Sequence, residues 1–168
     1  MGTKRVGWAR IKSLVNENQN ELKTRNEQVI ACSSTTVLTA GQSGALIYWT
    51  HSGSNHDITL PAAKKGLSFR FRIAVGHAAE HRILIAGDDH FTGRVNVVSV
   101  TANKTSSQVA NKSDNMIHIN LHATTTTLGG DIGDQIDVYC MEDGFWTVSA
   151  NLTLRTGNPA STAVFSAS

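Results

Sequence analysis

The sequence predicts a mainly β protein, an antiparallel β-sandwich or barrel preceded by one N-terminal amphipathic helix. Three observations predict it. First, Leu67–Val75 (LSFRFRIAV) places Leu67, Phe69, Phe71, Ile73 and Val75 on one face and Ser68, Arg70, Arg72 and Ala74 on the other, the period of a half-buried strand. Second, Gly133–Asn151 (GDQIDVYCMEDGFWTVSAN) reads as two alternating runs joined at Glu142-Asp143-Gly144, and Asp-Gly between such runs is a strong hairpin signal. Third, a three–four apolar spacing occurs in one place, residues 6–29, through Trp8, Ile11, Val15, Leu22 and Val29.

That helix has Trp8, Val15, Leu22 and Val29 at heptad a positions and Ile11, Asn18 and Arg25 at d. Two polar d residues suit an amphipathic helix packed on its own domain or a neighbour better than a continuous coiled coil; the alternatives are a short self-associating stalk, in which a polar core position can fix register, and a disordered arm. From about Ala31 the period becomes two. Short strands are expected at 45–50, 57–60, 67–75, 81–86, 91–100 and 115–123, then the closing hairpin, with Asn151–Arg155 extending its second strand. Val97-Val98 interrupts the alternation as a bulge would. Thr101–Ser113 and Thr124–Gly130 read as surface loops, and no fixed-period repeat is visible. The organisation expected is a helical arm over 1–30, a β domain over 31–157, and a flexible tail over 158–168 in which Val164-Phe165 could dock.

Composition agrees. The 168 residues are 40% hydrophobic and only 17% charged, with net charge +2, so Ser, Thr, Asn and Gly supply much of the polar surface and specific nucleic-acid binding is not expected. Residues 1–30 hold six Lys/Arg (Lys4, Arg5, Arg10, Lys12, Lys23, Arg25) against Glu17, Glu21 and Glu27, which puts the basic character in the arm. Two cysteines, Cys32 and Cys140, make no disulfide framework. Met1–Arg10 lacks the apolar core of a signal peptide, and no run reaches membrane-spanning length, so folding in a reducing cytoplasm is expected.

No residue set qualifies as a catalytic, cofactor or metal site, and an enzyme is not expected. His118 and His122 share a strand face but sit about 13 Å apart. His77 and His81 flank a turn, and His51, His56 and Asp57 form a second polar cluster; neither has strong ligand spacing. Solvent-facing histidines are expected, or one meeting its copies at an oligomer axis. Asp88-Asp89-His90 lies between glycines and reads as a turn rather than a calcium loop. Arg70 and Arg72 lie opposite the aromatic residues of their strand, unlike a single-strand nucleic-acid platform. Tyr48, Trp49 and Trp146 could line a sugar site, but Trp49 and Trp146 lie in strands, so core anchoring is the expectation.

Three passages, Asp57–Val75, Ile83–Val97 and Gly133–Asn151, together resemble the small β-rich structural proteins of tailed bacteriophages, found as head decoration (cement) proteins and as modules of tail appendages. The match rests on Thr59, Leu60, Pro61, Gly66, Leu67, Phe69, Phe71, Gly133, Asp134, Ile136, Asp143, Gly144, Trp146 and Val148; Pro61, Gly66, Phe69, Phe71, Asp134, Asp143, Gly144 and Trp146 are the residues expected to define the fold. The chain departs from the pattern at Ser149-Ala150, where a Gly is often found, and the N-terminal helix is no part of it. The resemblance implies a virion protein on the capsid surface, assembled in a bacterial cytoplasm, bound as a homotrimer to the major capsid protein between coat subunits. The alternative it implies is a tail-fibre or tail-appendage module that binds host glycan or another tail protein. In the first case the arm is the candidate contact, through Trp8, Ile11, Val15 and Leu22 with Arg5, Arg10 and Lys12. Burying those four apolar side chains would contribute roughly 1.5–3 kcal/mol each before ordering costs.

Overall fold

The computed structural model describes residues 10, 12, 13, 16, 28–122, 128–155 and 164–167. Its first six strands are β1 (Val29–Cys32), β2 (Thr36–Val37), β3 (Leu46–Trp49), β4 (His56–Thr59), β5 (Ser68–Ile73) and β6 (His81–Leu84). They alternate between two sheets. β1, β3 and β5 are parallel neighbours in a larger sheet, and β2, β4 and β6 are parallel neighbours in a smaller one. The chain therefore winds as a coil of three rungs. This corrects the antiparallel expectation: a strand that re-enters a sheet after crossing the other layer runs parallel to its predecessor, and here a strand of the opposite sheet serves as the crossover. The rungs are unequal in length, since Leu46 lies beside Val29 and Arg70 beside Leu46, which is why no fixed repeat shows in the sequence.

β7 (His90–Ser99), β8 (Lys104–Ala110), β9 (His118–Leu121), β10 (Gln135–Glu142), β11 (Phe145–Leu154) and β12 (Phe165–Ser166) complete a seven-stranded sheet ordered β1-β3-β5-β10-β11-β7-β8 and a five-stranded sheet ordered β12-β9-β6-β4-β2. Both sheets are mixed: in the larger, β10 is antiparallel to β5 and β11 while β11 runs parallel to β7, and in the smaller, β9 is antiparallel to β6 and β12. Their inner faces share one core. Trp49, Phe69, Phe71, Phe91 and Trp146 come from the larger sheet, and Ile58, Ile83, Ile119 and Leu121 from the smaller. Each such side chain, once buried, contributes about 1.5–3 kcal/mol.

The alternation of β5 is as expected, with Phe69, Phe71 and Ile73 buried and Arg70 exposed, although the strand stops at Ile73 and Val75 is exposed. The closing hairpin is also present, with Ile136, Val138, Cys140, Trp146 and Val148 inward. Four expectations are corrected. Val29 opens β1 rather than closing a helix. Val97-Val98 is regular strand, Val97 buried and Val98 exposed with its register kept on both sides; the irregularity lies instead between Tyr139 and Glu142. Part of the 101–113 loop is edge strand β8, whose Ser- and Thr-rich sequence fits a position with one face in water. The flexible tail is corrected near its end, where Val164 and Phe165 dock as the sequence allowed: both are buried, and β12 joins the smaller sheet with Phe165 paired to Ile119.

Gly93 in β7 shows how closely the parallel strands approach. It has φ +111°, and a Cβ there would lie 2.2 Å from the Val148 carbonyl oxygen of β11.

Candidate functional site

The two ends of the sandwich are built differently. At one end the three resembling passages meet. Trp146 Nε1–H donates to the Pro61 carbonyl at 3.3 Å, and the Lys65 amide donates to Asp143 Oδ1 at 2.7 Å. The Gly144 amide donates to the Ala63 carbonyl, and the His90 amide to the Gly144 carbonyl. Asp89 Oδ2 accepts the Ala63 amide at 2.6 Å, so the Asp88–His90 region is a turn that ties the first passage to the second. Gly66, at φ +95°, donates to the Cys140 carbonyl, and the Cys140 amide returns to Leu67. Pro61, Gly66, Asp143, Gly144 and Trp146 thus form one corner, with the Phe69 ring tilted against Trp146 at 5.8 Å beneath it. Asp134 lies at the opposite end. It is buried, and its Oδ2 accepts the amides of Gly130, Asp131 and Thr153 at 3.0, 2.9 and 2.7 Å. Burial pushes this carboxyl above its usual range, against the smaller opposing effect of the Thr153, Asp131 and Gly130 donors.

That opposite end is lined by histidines. His56 opens β4 and His81 opens β6, side by side in register. Both are in phase with buried neighbours, Ile58 and Ile83, so both rings enter the space between the sheets, where Trp49 arrives from β3. Trp49 lies 5.6 Å from His56, 5.7 Å from His81 and 4.8 Å from His77. His77 stacks on His81 at 4.0 Å, and His51 packs on His56 at 4.9 Å. The histidines of the two polar clusters seen separately in the sequence therefore form one, while Asp57 points away from it to Arg82. The expectation of solvent-facing histidines is corrected for His56, His77 and His81, which are buried. Half-buried His118 sits on the smaller sheet beside Ser166, Nδ1 to Oγ at 3.2 Å.

Burial lowers His56, His77 and His81, with His77 brought to about 3. Burial likewise pushes the thiols of Cys32 and Cys140 up; both are free and buried. Among the described residues no three His, Cys, Asp or Glu side chains are grouped to hold a metal ion, and no helix is long and apolar enough to cross a membrane.

The outer face of the larger sheet is polar. Arg72 pairs with Asp137 across β5 and β10 at 3.2 Å, and Arg70 is exposed. A shallow depression of about 520 Å³ lies over β10, β11, β7 and β8, lined by Tyr139, Thr147, Ser149, Arg94, Val109 and Asn111. Trp49 and Trp146 are fully buried and cannot serve as sugar platforms; Tyr48 and Tyr139 are the exposed aromatics on this face. Of the arm residues singled out in the sequence, Arg10 and Lys12 are helical and exposed. Arg5, Trp8, Ile11, Val15 and Leu22 lie outside the described residues.

No family model matches the chain, and no curated protein or solved structure matches it.

Proposed function

We propose that this chain is a capsid decoration protein of a tailed bacteriophage, seated between coat subunits as a homotrimer and contacting the major capsid protein through its basic N-terminal arm. One observation carries the reading. The passages that resemble this family lie far apart in sequence, yet Pro61, Ala63, Lys65, Asp89, Asp143, Gly144 and Trp146 close a single hydrogen-bonded corner. The convergence gives the three passages one shared structural role, closing this corner. The two sheets supply the platform, and Arg10 and Lys12 stand exposed on the arm. Many copies on a lattice would add avidity to a modest single contact.

The test is incubation with undecorated heads followed by sedimentation. Cosedimentation in a fixed ratio to coat protein supports the reading; a chain that stays in the supernatant, or labels tails in whole particles, refutes it. A stable monomer mass by light scattering, both free and when released from particles, would refute the trimer.

The tail-appendage alternative is favoured by one feature, the outer-face depression with Tyr139 beside Arg94, Thr147 and Ser149, a combination suited to a polar ligand that stacks. Glycan-array binding lost in Tyr139→Ala would select it.

A further inference from the structure

Four histidine rings and one indole close the end of the sandwich opposite the motif corner. They come from five pieces of the coil: Trp49 from β3, His51 from the following connection, His56 from β4, His77 from the 74–80 connection and His81 from β6. Their contacts are the seam between the larger sheet and the smaller one. Two connections are also tied across it by backbone bonds, the Ala78 amide to the Ser52 carbonyl and the His56 amide to the Glu80 carbonyl, both at 3.3 Å, while the His77 amide reaches the Gly130 carbonyl at 3.1 Å.

The hydrogen bonds fix which nitrogens carry protons in the neutral rings. Trp49 Nε1 can only donate, so His56 Nδ1, 2.8 Å away, is a bare lone pair. His81 Nδ1 lies 2.8 Å from the Ala79 carbonyl, so it carries the proton and Nε2 is bare. A second proton on His56 must land on Nδ1, where it would face the indole N–H, donor against donor. A second proton on His81 must land on Nε2, which is buried with no hydrogen-bond partner. Both ring nitrogens of His77 are buried without partners, and backbone at Gly130 packs so closely that a Cβ there would sit 3.4 Å from His77 Nδ1. Each proton therefore breaks a bond or creates a buried, unpaired cation.

Among the described residues, neighbouring charge favours a second proton only at His56, through Asp57, and there burial outweighs it. The charged groups acting on His77 are His81, His56, His51 and His122, and the same set acts on His81. Asp57, next to His56, faces the other side of β4 and is held by Arg82 through Nε and Nη2 at 2.9 and 2.8 Å. Glu80 is exposed. Asp131 is paired with Arg155, and Asp134 accepts its three backbone amides.

We propose that this end of the sandwich is an acid-operated latch: neutral rings hold the 50–55 and 74–80 connections against Trp49, and protonation of His56, His77 and His81 releases them while the motif corner stays closed. The lowered proton affinity of these rings gives the direction. The closed state refuses protons that the open state takes up, so falling pH drives opening.

Amide hydrogen exchange of the full chain, read residue by residue by NMR, tests this between about pH 7.5 and pH 5, with intrinsic rates corrected for pH. Protection of the His56, His77 and Ala78 amides is expected to fall at least tenfold, and the Trp49 indole signal to shift. Protection at Gly66 and Cys140 and the Trp146 indole signal are expected to hold. His77→Phe, which keeps an aromatic ring on His81 and removes one titrating group, is expected to shrink the fall; the wild-type comparison stands without it. Equal loss at both ends would overturn the latch by showing global acid unfolding, and unchanged protection at His77 would overturn it by showing rings that do not gate the connections. Stoichiometric zinc uptake at about pH 7.5, with zinc alone as the probe, would overturn it by making the cluster a metal site.

Discussion

Replacing Asp134 removes the acceptor that organises the turn before the closing hairpin. One oxygen of this buried carboxylate takes the amides of Gly130, Asp131 and Thr153 at 3.0, 2.9 and 2.7 Å. In Asp134→Ala all three donors lose their partner. An orphaned buried donor costs about 1–3 kcal/mol. Asp131 is only half-buried and Thr153 likewise, so water recovers part of that, and a net loss of about 3–5 kcal/mol is expected. That is a large share of the roughly 5–15 kcal/mol of a typical domain. Asp134→Asn can keep a carbonyl oxygen in the position of Oδ2 and lose only the charge assistance, about 1–2 kcal/mol. The assay is urea unfolding at neutral pH followed by tryptophan fluorescence, with the two variants compared at matched slope. An alanine variant within about 1 kcal/mol of wild type would refute the assignment of a structural role to these bonds, and so would an asparagine variant as unstable as the alanine one.

Two further outcomes follow from the same structure, and a third from the proposed function. Gly93→Ala places a methyl against the Val148 carbonyl at a positive φ, and a loss of about 3 kcal/mol or more in urea is expected; near-wild-type stability would mean that β7 and β11 are not in parallel contact there. His77 is lowered from 6.5 to about 3, so its stabilising contribution is complete above the unfolded value and is lost as pH falls below it; by about pH 5 this one ring removes about 2 kcal/mol, which unfolding curves at two pH values measure, and a flat profile would contradict its burial as a neutral ring. In the arm, Trp8→Ala combined with Leu22→Ala is expected to abolish binding to undecorated heads while leaving the unfolding midpoint of the β domain within a degree or two, about the shift of a few tenths of a kcal/mol; retained binding would remove the arm from the contact.

The strands and the hairpin were legible because a single face is buried in each. β5 states its inward set in every second residue, and Asp143-Gly144 states its turn. Parallel pairing was not legible, since period-two alternation is the same in parallel and antiparallel strands, and unequal rungs left no repeat to detect. β8 was missed because Lys104–Ala110 has one face in water and a Ser-rich sequence that resembles a loop. The histidine cluster had a readable signal that composition obscured: His56 keeps step with Ile58 and Leu60, and His81 with Ile83, so the strand phase alone points both rings inward. What no local pattern supplies is that Trp49 would meet them, because that contact depends on how the two sheets stack. The motif residues were recognisable singly, whereas their convergence at one corner comes from the pairing of the closing hairpin with β5 and β7, which brings Pro61, Asp89 and Asp143 together.

The proposed function is tested most directly by an electron-microscopy map of the virus particle it assigns this chain to. Decoration of the head requires density for the two-sheet domain in threefold groups at junctions between coat subunits, with the N-terminal arm directed at the coat. Density for the domain on the tail, or coat junctions left bare in particles that contain the chain, would contradict it.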